Sequence, residues 1–117
     1  MNLDEYAPLA LRTAGDRTFH EHLCNGGLGL AGEAGEVADA IKKVVFHQKP
    51  MDVDHLIAEL GDCAWYLNLL IHNLGTTWEE VLERNIKKLS ARYPEGFFDP
   101  ERANNRDVEA EQAAMAK

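Results

Sequence analysis

The sequence predicts an all-α fold, a four-helix bundle, and three observations predict it. Apolar residues recur at spacings of three and four through most of the 117 residues. No stretch of useful length shows the strict alternation of a strand. Gly and Pro fall between the periodic segments, where helices stop. Short breaks between long amphipathic segments are the pattern of an antiparallel bundle.

Each element can be justified in turn. Helix one is expected from about Asn2 to Ala14, with Tyr6, Leu9 and Ala10 on its apolar side, and Gly15-Asp16 ends it. Helix two is expected from about Thr18 to His47. Its stripe is Leu30, Ala34, Val37, Ala38, Ile41 and Val45. Gly26, Gly27, Gly29 and Gly32 interrupt its first half, at about 1 kcal/mol each relative to Ala. They mark a kink, or the close approach of another backbone or a ligand. Lys49-Pro50 closes the segment. Helix three begins near Asp52 or Asp54 and carries Leu56, Leu60, Cys63, Leu67, Leu70 and Leu74, with Gly75 as its stop. Thr77-Trp78-Glu79-Glu80 reads as a capping box that opens helix four, which carries Val81, Leu82, Ile86 and Leu89 and ends by Pro94. After Gly96 an extended, partly polar tail is expected. Residues 108–117 form a terminal tail, a loose helix at most, outside a domain spanning 1–107. The stripes on helices two and three are too long for one small chain to cover, so association between subunits is expected, in a number that the stripes do not fix.

Composition excludes several classes. The net charge of −8 argues against a partner that is a nucleic-acid polymer, which calls for a basic face. It leaves a nucleotide substrate open, because bound metal can neutralise acids and phosphates together. No apolar run reaches the roughly 18 residues that a membrane span requires. The acidic start, Met1-Asn2-Leu3-Asp4-Glu5, lacks the pattern of a signal peptide, so the cytoplasm (a host's, for a viral protein) is the expected compartment. Cys24 and Cys63 have no disulfide-framework spacing, and Cys63 falls on an apolar stripe.

Two acidic pairs carry the chemistry. Glu33 and Glu36 lie three apart, as do Glu59 and Asp62, with 22 residues between the pairs. Residues three apart share a helix face. Both pairs sit beside apolar stripes, where unpaired carboxylates are costly. Two antiparallel helices would bring all four together, and a cation would make that arrangement tolerable. Four hard oxygen donors favour Mg²⁺ or Mn²⁺ over zinc. A di-iron bundle would require Glu-x-x-His pairs, and neither acidic pair has one. His55, on the face of Glu59, Asp62 and Tyr66, is placed to support a ligand.

Helix four supplies cations. Arg84 and Lys87 each follow a glutamate by four and read as surface pairs with Glu80 and Glu83. Asn85, Lys88 and Arg92 share another face, suited to phosphate oxygens. Lys43, one turn beyond the acids of helix two, can do the same. Trp65, one turn from Asp62, either stacks on a base or fills the core.

At these residues the chain resembles a family. Gly29-Leu30-Ala31-Gly32-Glu33-Ala34-Gly35-Glu36-Val37-Ala38-Asp39, then Glu59-Leu60-Gly61-Asp62-Cys63-Ala64-Trp65-Tyr66-Leu67, then Asn85 to Phe97 with its Arg92-Tyr93-Pro94 step, are similar to MazG-like nucleoside triphosphate pyrophosphohydrolases. The likeness runs over roughly residues 2 to 107, and its short form with an R-Y-P-x-G-F ending looks like bacterial and phage members. It implies an active site between helices, assembly as a homodimer or homotetramer, and Mg²⁺-dependent cleavage between the α- and β-phosphates. It also implies a lean toward purine substrates, guanine first. Any of the four acids can serve as base, Glu36 being the first choice. Two other classes compete: a redox or ion-storing carboxylate bundle, and a non-catalytic helical interaction module.

Overall fold

A computed structural model describes residues 1–117. The fold is all-α, with six helices and no strand: α1 (Leu3–Leu11), α2 (Phe19–Phe46), α3 (Val53–Asn73), α4 (Trp78–Arg92), α5 (Pro100–Asn104) and α6 (Val108–Ala116). They form two units, Met1–Thr76 and Thr77–Lys117.

In the first unit, polar side chains set the helix starts. Asn2 accepts from the Glu5 amide at 2.9 Å and Asp52 from the His55 amide at 3.0 Å. Thr18 and Glu21 close a full capping box at 3.2 and 3.0 Å. Each pairing satisfies an amide that the first turn leaves orphaned. Gly75 ends α3 with a φ of +74°, a conformation that suits glycine.

The α2 glycines do not interrupt the helix, which runs unbroken for 28 residues. Two of them mark close approach. A Cβ on Gly26 would lie 2.7 Å from Leu70, and one on Gly29 would overlap the Tyr66 ring. Leu70 and Tyr66 therefore rest directly on the α2 backbone. The pairs Gly26–Leu70 and Gly29–Tyr66 run in opposite senses along the two helices, so α2 and α3 are antiparallel. One face of α2 (26, 29, 33, 36, 40) thus meets one face of α3 (70, 66, 62, 59, 56).

α1 packs on α3. The indole N–H of Trp65 donates to the Ala10 carbonyl at 3.2 Å and to Thr13 Oγ1 at 2.8 Å. The Asn68 amide donates to the Ala7 carbonyl at 3.1 Å. Asn68 is only 3% exposed, so it has to be paired there. Beside it Leu69 is 1% exposed, a burial that stabilises by about 1.5–3 kcal/mol.

The buried apolar core is small: Ala10, Leu69 and Ile71. The stripes of α2 and α3, too long for one chain to cover, point largely outward. Ala34, Ala38, Ile41 and Val45 of α2 are exposed. On α3, Leu60, Leu67 and Leu74 are 57%, 38% and 65% exposed, at an interval of seven, and Ile57 is exposed with them. Helical periodicity reports that a face is apolar, not which partner covers it.

In the second unit, Thr77 Oγ1 accepts from the Glu80 amide at 3.1 Å and opens α4 as expected. In the tail expected to be extended after Gly96, Pro100–Asn104 instead form a short helix, and the segment expected to be a loose helix at most is the helix α6. Asp99 caps α5, with Pro100 in the first turn, and Asp107 caps α6. α6 packs on α4 and buries Glu111, which is 1% exposed. The burial of Glu111 left no sign in a nearly periodless, alanine-rich segment, because its partners Arg92 and Arg106 share no helical stripe with it.

The glycine contacts predict an asymmetry. Gly29→Ala should destabilise by about 1–3 kcal/mol, since the Tyr66 ring must move. Gly35→Ala meets open space and should gain up to about 1 kcal/mol of helix propensity. Urea unfolding of both variants measures this, and equal effects would remove the close-approach reading.

Candidate functional site

The antiparallel register carries the acidic pairs to one place. Farther along the face on which Tyr66 rests against Gly29, Glu33 of α2 meets Glu59 and Asp62 of α3. Carboxylate oxygens of these three all lie within 4.8 Å of one another. Glu33 and Glu59 are half-buried and Asp62 is exposed. One oxygen of Glu59, Oε2, is buried with no hydrogen-bond partner. Such an oxygen costs stability unless something binds it.

The electrostatics report the same crowding. Glu33 is pushed up to about 7 from 4.5. The largest cause is the adjoining Glu59 carboxyl, to which Glu33 hydrogen-bonds through a retained proton; partial burial and the charges of Glu59, Asp62 and Glu36 add to it. Three hard oxygen donors and an unsatisfied buried oxygen fit a divalent cation of the Mg²⁺ or Mn²⁺ type.

Glu36 stands on the same face of α2, one turn on, outside the group of three. It lines a neighbouring pocket of about 220 Å³ with Asp39, Lys43, Asp52 and His55 among its walls. There Lys43 is paired with Asp39 at 2.8 Å. His55 Nε2 lies 3.7 Å from Glu59 Oε1, where a charged imidazole would support that carboxylate. A second pocket, of about 340 Å³, is lined by Glu33, Asp62, Trp65 and Tyr66. Its walls are two acids and two aromatics, and the rings of Trp65 and Tyr66 meet edge to face at 5.1 Å. Trp65 thus does two things: its N–H ties down α1, and its side chain faces this pocket. Tyr6 of α1 also feels Asp62, whose charge, after burial, raises the phenol.

The remaining candidates stand on α4. Asn85 is exposed and Lys88 half-buried. Arg84 pairs with Glu80 at 2.6 Å as the spacing predicts, whereas Lys87 closes no such pair with Glu83. Arg92 is engaged by Glu111 at 2.9 Å. Sequence reasoning missed Glu111, the tie from α1 to Trp65, and the role of Tyr66 as a wall beside the acids. Only Tyr66 left a signal, as the next residue on the Glu59–Asp62 face.

A family model of the MazG nucleotide pyrophosphohydrolase domain matches residues 25–97. The chain belongs to this family. The match spans all four acids and the whole of α4, and leaves α1, α5 and α6 outside. The chain is also similar to the Gene 37 protein of Mycobacterium phage L5, at 36% identity over 107 residues, covering 84% of this chain and 94% of the phage protein. No solved structure gives a significant match. No helix is long and apolar enough to cross a membrane.

The raised Glu33 sets a pH dependence. A folded-state pKa above the unfolded one means that the folded state holds the extra proton. Metal-free stability is then fully present below about 4.5 and is lost as pH rises through about 7. With chelator present, the wild type should lose more melting temperature between about pH 5.5 and about pH 8.5 than Glu59→Gln does, because that change removes the neighbour that raises Glu33. Parallel curves for the two proteins would show that the carboxylates do not couple. Added Mg²⁺ should flatten the wild-type curve, since binding to the native state stabilises it and expels the proton.

Proposed function

We propose that this protein is a Mg²⁺-dependent nucleoside triphosphate pyrophosphohydrolase, converting a ribo- or deoxynucleoside triphosphate and water into the monophosphate and pyrophosphate. The observation that carries the proposal is the group of Glu33, Glu59 and Asp62, with an unsatisfied buried oxygen, inside a MazG domain.

In this reading those three side chains hold the metal, and Mn²⁺ can replace Mg²⁺. When bound, a divalent ion supplies charge for the phosphate oxygens and lowers the pKa of a coordinated water. Glu36, beside the three but apart from them, completes the ligand set or takes a proton from the attacking water. His55 steadies Glu59. Trp65 and Tyr66 offer a flat apolar wall next to the acids, suited to a ring. Lys43, beyond Glu36 and Asp39 on α2, binds phosphate oxygens; in the second unit, Asn85 and Lys88 form a face of α4 that is itself suited to phosphate oxygens.

The deciding experiment is a product assay over a panel of nucleotides, beginning with dGTP and GTP, the substrates expected from the family likeness. Monophosphate and pyrophosphate should appear in equal amounts, and EDTA should abolish both. Orthophosphate as the first product, or full turnover after exhaustive chelation, would overturn the proposal. Lys88→Ala should weaken turnover or binding more than Lys87→Ala.

The uncovered apolar faces of α2 and α3 support self-association into a homodimer or homotetramer. Sedimentation should give two or four times the chain mass, and the double change Leu67→Glu, Leu74→Glu should lower it. A wild type that stays monomeric at every concentration would contradict this.

A further inference from the structure

Outside the acidic site, the best-defined polar cluster lies in the second unit. Glu111 of α6 is almost fully buried, and two guanidiniums converge on it. Arg92 of α4 donates to its Oε1 at 2.9 Å. Arg106, just before α6, donates to Oε1 at 2.8 Å and to Oε2 at 3.0 Å. The neighbouring aromatic is Tyr93, with the Arg92 guanidinium 5.9 Å from its ring centre.

The charge balance is uneven. Two permanent cations share one carboxylate, and Arg92 Nε is buried with no partner. Two planar forks aimed at one point are the usual arrangement for holding a phosphate. Here the point is filled by the chain's own carboxylate, delivered by a helix outside the family match. Arg106 and then Arg92 hold Glu111 at about 2, well below its usual 4.5, so it stays charged at any ordinary pH.

We infer that α6 is an internal clamp: Glu111 fills a two-arginine anion site made by Arg92 and Arg106, and so withholds Arg92 from phosphate-bearing ligands. Arg92 shares its α4 face with Asn85 and Lys88. The clamp leaves Lys88 as the cation of that face open to a phosphate chain, and makes Arg92 a structural residue while α6 is docked. Nothing in the inference requires turnover, so it stands or falls separately from the hydrolase reading.

The test uses the full chain, and inorganic tripolyphosphate without metal as the probe. Glu111→Gln keeps the side-chain volume but removes the internal anion. It should bind the probe at least about fivefold more tightly than wild type, and Arg92→Met combined with Glu111→Gln should cancel the gain. Arg92→Met alone should leave wild-type binding unchanged within about twofold, since Arg92 is already occupied. It should still lower the melting temperature by about 10 °C, because it breaks a buried ion cluster. The melting losses of Arg92→Met and Glu111→Gln should not add in the double variant. Equal probe binding by wild type and Glu111→Gln would overturn the clamp. So would additive melting losses, or lost binding in Arg92→Met alone. If Glu111→Gln fails to fold, the binding and melting of Arg92→Met decide the question.

Discussion

The site depends on the register between α2 and α3. Tyr66 and Leu70 lie on the α2 backbone only because Gly26 and Gly29 carry no Cβ to exclude them. That contact fixes both the spacing and the sliding position of two long helices at one end. Every residue farther along then inherits its opposite number. Glu33 faces Asp62 and Glu59 for the same reason that Gly29 faces Tyr66. The carboxylate cluster is therefore a consequence of backbone packing a turn away, and its repulsion is borne by a contact that contains no charge.

This division explains what was readable in the chain. Helix boundaries were, because Asn2, Thr18, Asp52, Thr77 and Gly75 act within a few residues of themselves. The acids were, because a helix face is a local property and hard donors at i, i+3 are distinctive. What escaped depends on residues far apart in sequence. Trp65 reaches 55 residues back to Ala10, and Asn68 reaches 61 back to Ala7. The pairing of Arg92 with Glu111 escaped because Glu111 lies in a segment with no helical stripe. The glycines showed that something comes close; whether a helix or a ligand did so required the structure.

The apolar stripes teach a related point. Periodicity identified Leu60, Leu67 and Leu74 as one face of α3, and that face is exposed on the single chain, in keeping with stripes too long for it to cover. A chain with three well-buried apolar residues has little to offset the entropy of ordering its backbone. Within the first unit the acids lie where α2 meets α3, and the leucines lie on the exposed face of α3.

One consequence of the anchoring at the two ends of the chain concerns length. The segment that matches the family holds all four acids, yet it leaves out Ala7 and Ala10, whose carbonyls receive Asn68 and Trp65, and Glu111, which neutralises Arg92. A fragment trimmed to residues 25–97 would keep the reactive groups. It would strip the indole and the buried amide of acceptors and leave a half-buried guanidinium facing nothing. The shortest sequence that spells the chemistry and the shortest that can hold its own shape are thus different lengths. The difference is made up by α1 and α6.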